Sequence, residues 1–107
     1  MKLIVAFVHS SHAGPVVRAL ELAGLYHLSL SRVHGVVQPD TAIVRADMGS
    51  EGELEVRLEA YCEDAHLEQV VGLIREKGHV GGLPSGAVFV HPVDHAWPVS
   101  QAAAGER

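Results

Sequence analysis

Runs and alternations of apolar residues mark four predicted strands along the chain. Leu3 to Val8 is a continuous apolar run rich in β-branched residues, which predicts a strand covered on both faces. Glu53 to Cys62 instead alternates apolar and polar residues, which predicts one core face and one polar face. Leu28 to Val37 alternates imperfectly, so its core face stays open, and Ala87 to Val93 is the last predicted strand.

The first predicted helix lies between the first two strands. Apolar residues recur at helical spacing from Val16 to Ala23. Ser10 or Ser11 is expected to cap its start, because a hydroxyl can accept a hydrogen bond from a free backbone amide. Pro15 suits a first helical turn, and Gly24 is expected to follow the last turn.

The second predicted helix follows the alternating strand. Apolar residues repeat at helical spacing from Leu67 to Ile74, and Asp64 is the expected N-cap. Lys77 and Gly78 are expected to end this helix, and a glycine-rich loop runs from Gly78 to Gly86.

Two further segments lack any periodic pattern. Residues 38–52 are rich in turn residues, and a fifteen-residue excursion between two strands is long enough to indicate a functional or disordered loop. Residues 98–107 are small and polar, which indicates a flexible tail. We therefore expect one domain over residues 1–97 followed by this tail.

The order of elements predicts an α+β fold of the ferredoxin-like βαββαβ type. Such a fold is an antiparallel sheet with two helices on one face. The first and second strands run parallel with the third between them, so the loop after Val37 and the glycine-rich loop before Ala87 should approach each other. The face without helices would need a partner, because a chain of 107 residues leaves much of its surface exposed.

Composition narrows the class of protein. The net charge of −5 and the scattering of basic residues argue against a nucleic-acid partner. The longest apolar run near the start is too short for a secretion signal or a membrane helix, so we expect a soluble cytoplasmic protein without membrane insertion. Cys62 is the only cysteine, so the chain cannot form an internal disulfide. We expect Cys62 to be a buried structural thiol.

Collinear motifs over about ninety residues resemble the PII family of nitrogen-regulatory signalling proteins. The opening Met1 to Ala6, the helix from Val16 to Leu20, Gly24 and Val33-His34-Gly35 fall in the order and spacing of that family. Gly86 to Val93 resembles the family's second signature, in which a glycine and a basic residue lead into the last strand.

This resemblance implies a compact homotrimer that binds a small effector in clefts between its subunits. The implied effector is an adenine nucleotide (ATP, ADP or AMP), and residues 38–52 would form the T-loop that docks onto a transporter or enzyme. The resemblance implies a regulator and not an enzyme, and Ser10-Ser11-His12 lacks the elbow motif of serine hydrolases. The positions that would line the cleft are Ser29, Gly35, Val36, Val37, Glu59, Ser85, Gly86 and Ala87.

Several positions depart from the family pattern. Ala87 stands where a basic residue is expected, and the tail lacks paired arginines. The T-loop is about three residues shorter and has no counterpart of the tyrosine that many members modify. We therefore expect ADP or AMP to bind more weakly than in typical members, because cations that clamp phosphate are missing.

The roles of the histidines and of the single tryptophan are not decided by the sequence. Eight histidines occur, and His9, His12, His34 and His79 belong to one edge of the expected fold. Neutral imidazoles suit zinc, copper or nickel, so a metal-binding or metal-responsive relative is the alternative function, although surface histidines are the simpler interpretation. Trp97 would contact either a neighbouring subunit or the core of its own domain.

Overall fold

A computed structural model describes residues 1–25, 27–33, 55–81 and 86–100. The predicted loop 38–52, the glycine-rich residues 82–85 and the outer part of the tail lie outside these ranges. In chain order the elements are β1 (Lys2–His9), α1 (Ser10–Leu22), β2 (Leu28–Val33), β3 (Glu55–Cys62), a short 3₁₀ helix (Asp64–His66), α2 (Leu67–Lys77) and β4 (Ala87–Pro92).

The four strands form one antiparallel sheet in the order β2-β3-β1-β4. β3 pairs with both β2 and β1, so these two strands run parallel on either side of it, as the sequence predicted. β4 adds to the other edge of β1, with Ala87 opposite Phe7 and Pro92 opposite Lys2. The predicted α+β, ferredoxin-like arrangement is confirmed.

The hydrophobic core lies between the sheet and the two helices. Ile4, Leu58, Leu20 and Ile74 are almost completely buried there, with one residue from each of β1, β3, α1 and α2. Cys62 belongs to the same cluster, so the predicted buried thiol is confirmed. Burial raises the pKa of this thiol, and the carboxylates of Asp64 and Glu63 raise it further.

Strand pairing settles the core face of β2. Leu30 lies opposite Leu58, so Leu28, Leu30 and Arg32 share the helix side of the sheet. Ser29, Ser31 and Val33 therefore lie on the other side. Leu30 is nevertheless 51% exposed, because β2 is the edge strand of the sheet.

The start of α1 differs from the prediction. The N-cap is His9 rather than Ser10 or Ser11, and its ring nitrogen Nδ1 accepts a hydrogen bond of 3.1 Å from the Ser11 amide. Pro15 consequently lies in the second turn and not in the first. Gly24 follows the last turn as predicted, at φ +97°, and the Leu25 amide donates back to the Leu20 carbonyl.

Asp64 is likewise not the N-cap of the second helix. It begins the 3₁₀ helix, and its Oδ1 lies 2.8 Å from the amino group of Met1. This ion pair and its hydrogen bond lower the pKa of the Asp64 carboxyl. α2 begins three residues later and ends at Lys77, with Gly78 as its C-cap, as predicted. Neither helix within the described ranges has the length and apolar content to span a bilayer.

The side of the sheet away from the helices carries no helix or strand among the described residues. Phe7 and Phe89 meet there edge to face, with ring centroids 6.3 Å apart, and Phe89 is 51% exposed. Trp97 does not cover the core of its own domain, because it is 78% exposed and stacks on the His95 ring. We call the side that carries Phe7 and Phe89 the open face.

Candidate functional site

At one end of the sheet, which we call the loop end, β2 ends and β3 and β4 begin; the predicted approach of the two loops lies outside the described residues. Val33, the last residue of β2, lies opposite Glu55, the first residue of β3, and Glu55 also lies opposite His9 at the end of β1. Ala87 begins β4 beside Phe7. The segments that leave β2 and enter β3 and β4 therefore start from the same end of the sheet.

Gly86 is held against β1 by its backbone. Its φ of +75° lies in the left-handed region that favours glycine, and an added Cβ would overlap the Phe7 carbonyl oxygen. Glycine is thus required here for β4 to start beside β1. The close approach observed at Gly86 is to the backbone of Phe7, and the expected contribution of Gly86 to the effector cleft stays a prediction.

Two of the predicted cleft residues are neighbours on the open face. Ser29 of β2 lies directly opposite Glu59 of β3. Glu59 is ion-paired with Arg57, whose Nη2 lies 2.8 Å from the Glu59 Oε2 atom, and both side chains are partly exposed. The hydroxyl, the carboxylate and the guanidinium form a polar strip on the open face.

Arg57 is a residue that sequence reasoning did not single out. It lies opposite Phe7, which in turn lies opposite Ala87, so the three residues form one row across the sheet. The Arg57 guanidinium carbon lies 6.0 Å from the centre of the Phe7 ring, a cation–π geometry. The alternation of β3 already placed Arg57 on the face of Glu59, and this shared face was the available signal.

Glu55 has an unusual environment at the loop end. Its Oε1 atom is buried and has no hydrogen-bond partner among the residues that the structure describes. Burial raises the pKa of the Glu55 carboxyl, and the nearby His9 partly opposes this effect. A buried, ionised Glu55 carboxylate without a partner costs free energy. A proton on the carboxyl, or a hydrogen-bond donor or cation beside it, would lower this cost.

The structure describes three of the four histidines that were predicted as metal ligands. His9 and His12 come together through Ser11, whose Oγ atom lies 2.8 Å from the Nδ1 atom of each ring. His79 is exposed just beyond α2, and His34 lies outside the described residues. No group of three metal-ligating side chains occurs within the described ranges, so the four-histidine site stays a prediction.

The remaining predicted cleft residues are not described by the structure. Gly35, Val36, Val37 and Ser85 lie outside the ranges given above. Ser29, Glu59, Gly86 and Ala87 are described, and they fall into two groups. Ser29 pairs with Glu59, whereas Gly86 and Ala87 lie across β1 from β3.

The structure defines a ferredoxin-like α+β domain in which β2 ends, and β3 and β4 begin, at the same end of the sheet. Comparison with known proteins identifies the family. The family model described as "Nitrogen regulatory protein P-II" matches residues 1–102. The chain belongs to this family, whose members are regulators and not enzymes.

Curated relatives agree with the family match over nearly the full chain. A "Nitrogen fixation nifHD region glnB-like protein 1" of Methanococcus maripaludis is 32% identical over 106 residues, which is 98% of this chain and 99% of the relative. The protein of the same description from a second strain of that species is 31% identical over 106 residues, with the same shares covered.

Proposed function

We propose that this protein is a homotrimeric regulator that binds an adenine nucleotide between its subunits. The nucleotide would control whether residues 38–52 engage a target protein, either a transporter or a metabolic enzyme. The observation that carries the proposal is the loop end of the sheet, where the start of β4 and the start of β3 lie on either side of β1 in a chain of the PII family.

The open face supports the trimer. Phe89 and Tyr61 are 51% and 43% exposed on it, and Trp97 is 78% exposed just after β4. Aromatic side chains exposed together are typical of the buried centre of a subunit interface. Val5 of β1 also lies on the open face, between Glu59 of β3 and Phe89 of β4. These two neighbouring side chains cover it, so Val5 is only 6% exposed.

Arg57 supports an anionic effector in spite of Ala87. Strands in a sheet are about 4.8 Å apart, so Arg57 lies roughly 10 Å from Ala87 across β1. A long guanidinium side chain on that face can contribute the positive charge that the family places after the glycine. Its pairing with Glu59 weakens this contribution, so we expect weaker binding than a dedicated lysine or arginine would give.

Calorimetric titration with ATP, ADP and AMP tests the effector. We expect one of them to bind, and Arg57→Gln to weaken that binding about tenfold, which corresponds to about 1.4 kcal/mol. Arg75→Gln is the matched control, because Arg75 is an exposed arginine in the last turn of α2, on the helix side of the sheet. No heat with any of the three nucleotides would refute the nucleotide part of the proposal.

Native mass spectrometry of protein taken directly from cells tests the trimer and any retained effector together. We expect the mass of three subunits of 11.4 kDa each. Phe89→Glu should shift the protein toward monomers, since a carboxylate would be buried in the interface. A monomer for the unchanged protein at all concentrations would refute the trimer.

The target is best sought through residues 38–52. The names of the relatives refer to nitrogen fixation, so transporters and metabolic enzymes that serve nitrogen fixation are the first candidates. Replacing residues 38–52 with a glycine–serine linker should abolish co-purification of the target while the trimer mass stays that of three altered subunits. Co-purification that persists in this variant would assign target binding to another surface.

A further inference from the structure

His91 lies on the open face, at the end of the sheet farthest from the loop end. In β4 it lies directly opposite Leu3 of β1, which in turn lies opposite Tyr61 of β3. Side chains two residues apart on a strand share a face, so His91 is on the same side as Phe89. Both residues are exposed in the single chain. Any subunit that covers the open face therefore meets an imidazole there.

The immediate neighbours of His91 on this face are apolar. Leu3 faces it across the strand pair, and Phe89 precedes it by two residues. Val5, which is diagonal to His91, is only 6% exposed. A neutral imidazole can be covered in such surroundings at modest cost, whereas a protonated imidazole needs water or an anion beside it.

The charged groups around this end of the open face belong to several elements. On β3, Glu59 is one row away and is ion-paired with Arg57. At the start of β1, the Met1 amino group is ion-paired with Asp64. The other titratable residues that adjoin this row along the chain are Lys2, which is on the helix side, Glu63, Asp94 and His95. Within the row formed by the described strands β3, β1 and β4, no carboxylate is present to stabilise a charged His91.

We propose that His91 makes the assembly of the trimer sensitive to pH. This inference rests on the proposed homotrimer, in which copies of the chain cover the open face. A neutral His91 is compatible with burial against the apolar residues of that face, and a protonated His91 opposes it. Histidine is the side chain that ordinarily changes charge between pH 5 and 8, so acidification in this range separates the subunits. Because the proposed effector cleft lies between subunits, acidification also releases the effector.

Proton linkage gives the sign and the size of the effect. If each subunit must lose one proton from His91 to enter the trimer, the free subunits hold three more protons than the trimer does. Lower pH then favours the free subunits. In the range where His91 is protonated in the free subunit, the dissociation constant of the trimer rises by up to about a thousandfold per pH unit, which is about tenfold for each subunit.

The net charge of the chain predicts the opposite trend. Each subunit has a formal net charge of −5 with neutral histidines, so the subunits repel one another near neutral pH. Protonation of exposed carboxylates and histidines lowers this repulsion. Net charge alone would therefore strengthen the trimer on acidification, and the sign of the pH dependence distinguishes the two causes.

Sedimentation velocity between about pH 8 and about pH 5.5, over a series of subunit concentrations, tests the proposal. We expect trimers at the higher pH and smaller species as the pH falls, with a far-UV circular dichroism spectrum that stays that of the folded chain. His91→Gln keeps a polar side chain but cannot gain a proton, so its trimer should persist across the whole range. His91→Lys should weaken the trimer at pH 8 already, because the amine stays charged.

Two other histidines at the same end of the domain provide matched controls. His66 is an exposed residue of the 3₁₀ helix before α2, and His95 stacks on Trp97 after β4. His66→Gln and His95→Gln each remove one imidazole and leave the strands of the open face unchanged. Both variants should dissociate on acidification as the unchanged protein does.

Three results would overturn the proposal while the trimer itself stands. The unchanged trimer would be as tight at pH 5.5 as at pH 8, His91→Gln would dissociate on acidification as the unchanged protein does, or His95→Gln would abolish the pH dependence. A chain that is monomeric at pH 8 at every concentration would instead refute the homotrimer, and this inference with it.

Discussion

Replacing Gly86 with alanine tests the geometry of the loop end directly. An alanine Cβ at this position would overlap the Phe7 carbonyl oxygen and lie 3.2 Å from the carbonyl carbon. Both atoms belong to the backbone of the central strand β1, so they cannot rotate away as a side chain would. The start of β4 would have to separate from β1, and the pairing of Ala87 with Phe7 would be lost.

Two terms contribute to the expected loss of stability. The left-handed φ of +75° costs an alanine about 1–2 kcal/mol. Relief of the overlap by backbone movement costs about 1–3 kcal/mol more, as in other overpacked sites. We therefore expect Gly86→Ala to lower the free energy of unfolding by about 2–5 kcal/mol.

Two other glycines separate these terms. Gly81 has φ +62°, and no described atom lies within 4 Å of a Cβ built on it, so Gly81→Ala should show only the conformational cost. Gly72 in α2 has neither constraint, and Gly72→Ala should stabilise by about 0.5–1 kcal/mol. Urea unfolding at one protein concentration measures all three, since subunit association would make stability depend on concentration. Equal losses for Gly86→Ala and Gly81→Ala would refute the overlap with β1.

Three further predictions concern the loop end and the core. Burial raises the pKa of the Glu55 carboxyl in the folded state above its ordinary value of 4.5, so the folded state holds the proton more tightly than the unfolded state does. Stability therefore falls as the pH rises from 4.5 through the folded pKa, and Glu55→Gln should remove this part of the pH dependence. Urea midpoints measured across acidic pH check this, and an unchanged profile would contradict it. His9→Ala should cost about 1 kcal/mol in chemical unfolding because the Ser11 amide loses its acceptor, and His9→Asn should restore most of it. Leu58→Ala should cost about 2–5 kcal/mol by calorimetry, whereas the half-exposed Leu30 should tolerate alanine; similar losses at both would contradict the assigned core face.

Sequence patterns predicted the fold where one physical cause dominates. The alternation of β3 is clear because one of its faces packs on the helices, and Gly24 ended α1 because a left-handed residue is needed there. The pattern of β2 was ambiguous because an edge strand buries little on either side. Its face follows from pairing with β3, which depends on residues far along the chain.

The helix starts were missed for a different reason. Serine and aspartate are the usual caps, but His9 offers a ring nitrogen that accepts the same hydrogen bond at the end of β1. Asp64 is drawn instead to the amino group of Met1, a partner that spacing along the sequence cannot reveal. At α1 one local cap replaced another, whereas at Asp64 a contact set by the tertiary fold replaced the local preference.

The proposed effector site raises the question of which residue supplies its positive charge. Matching motifs one position at a time finds Ala87 where a cation is expected and indicates a lost phosphate clamp. The sheet shows that Arg57 occupies the same row across β1, although it is distant in sequence. A ligand responds to the position of a charge in space and not to its position in the chain. The decisive comparison is therefore between Arg57→Gln and Ala87→Lys: if Arg57 supplies the missing charge, the first change weakens nucleotide binding and the second strengthens it, and Ala87→Lys restores binding to the Arg57→Gln variant.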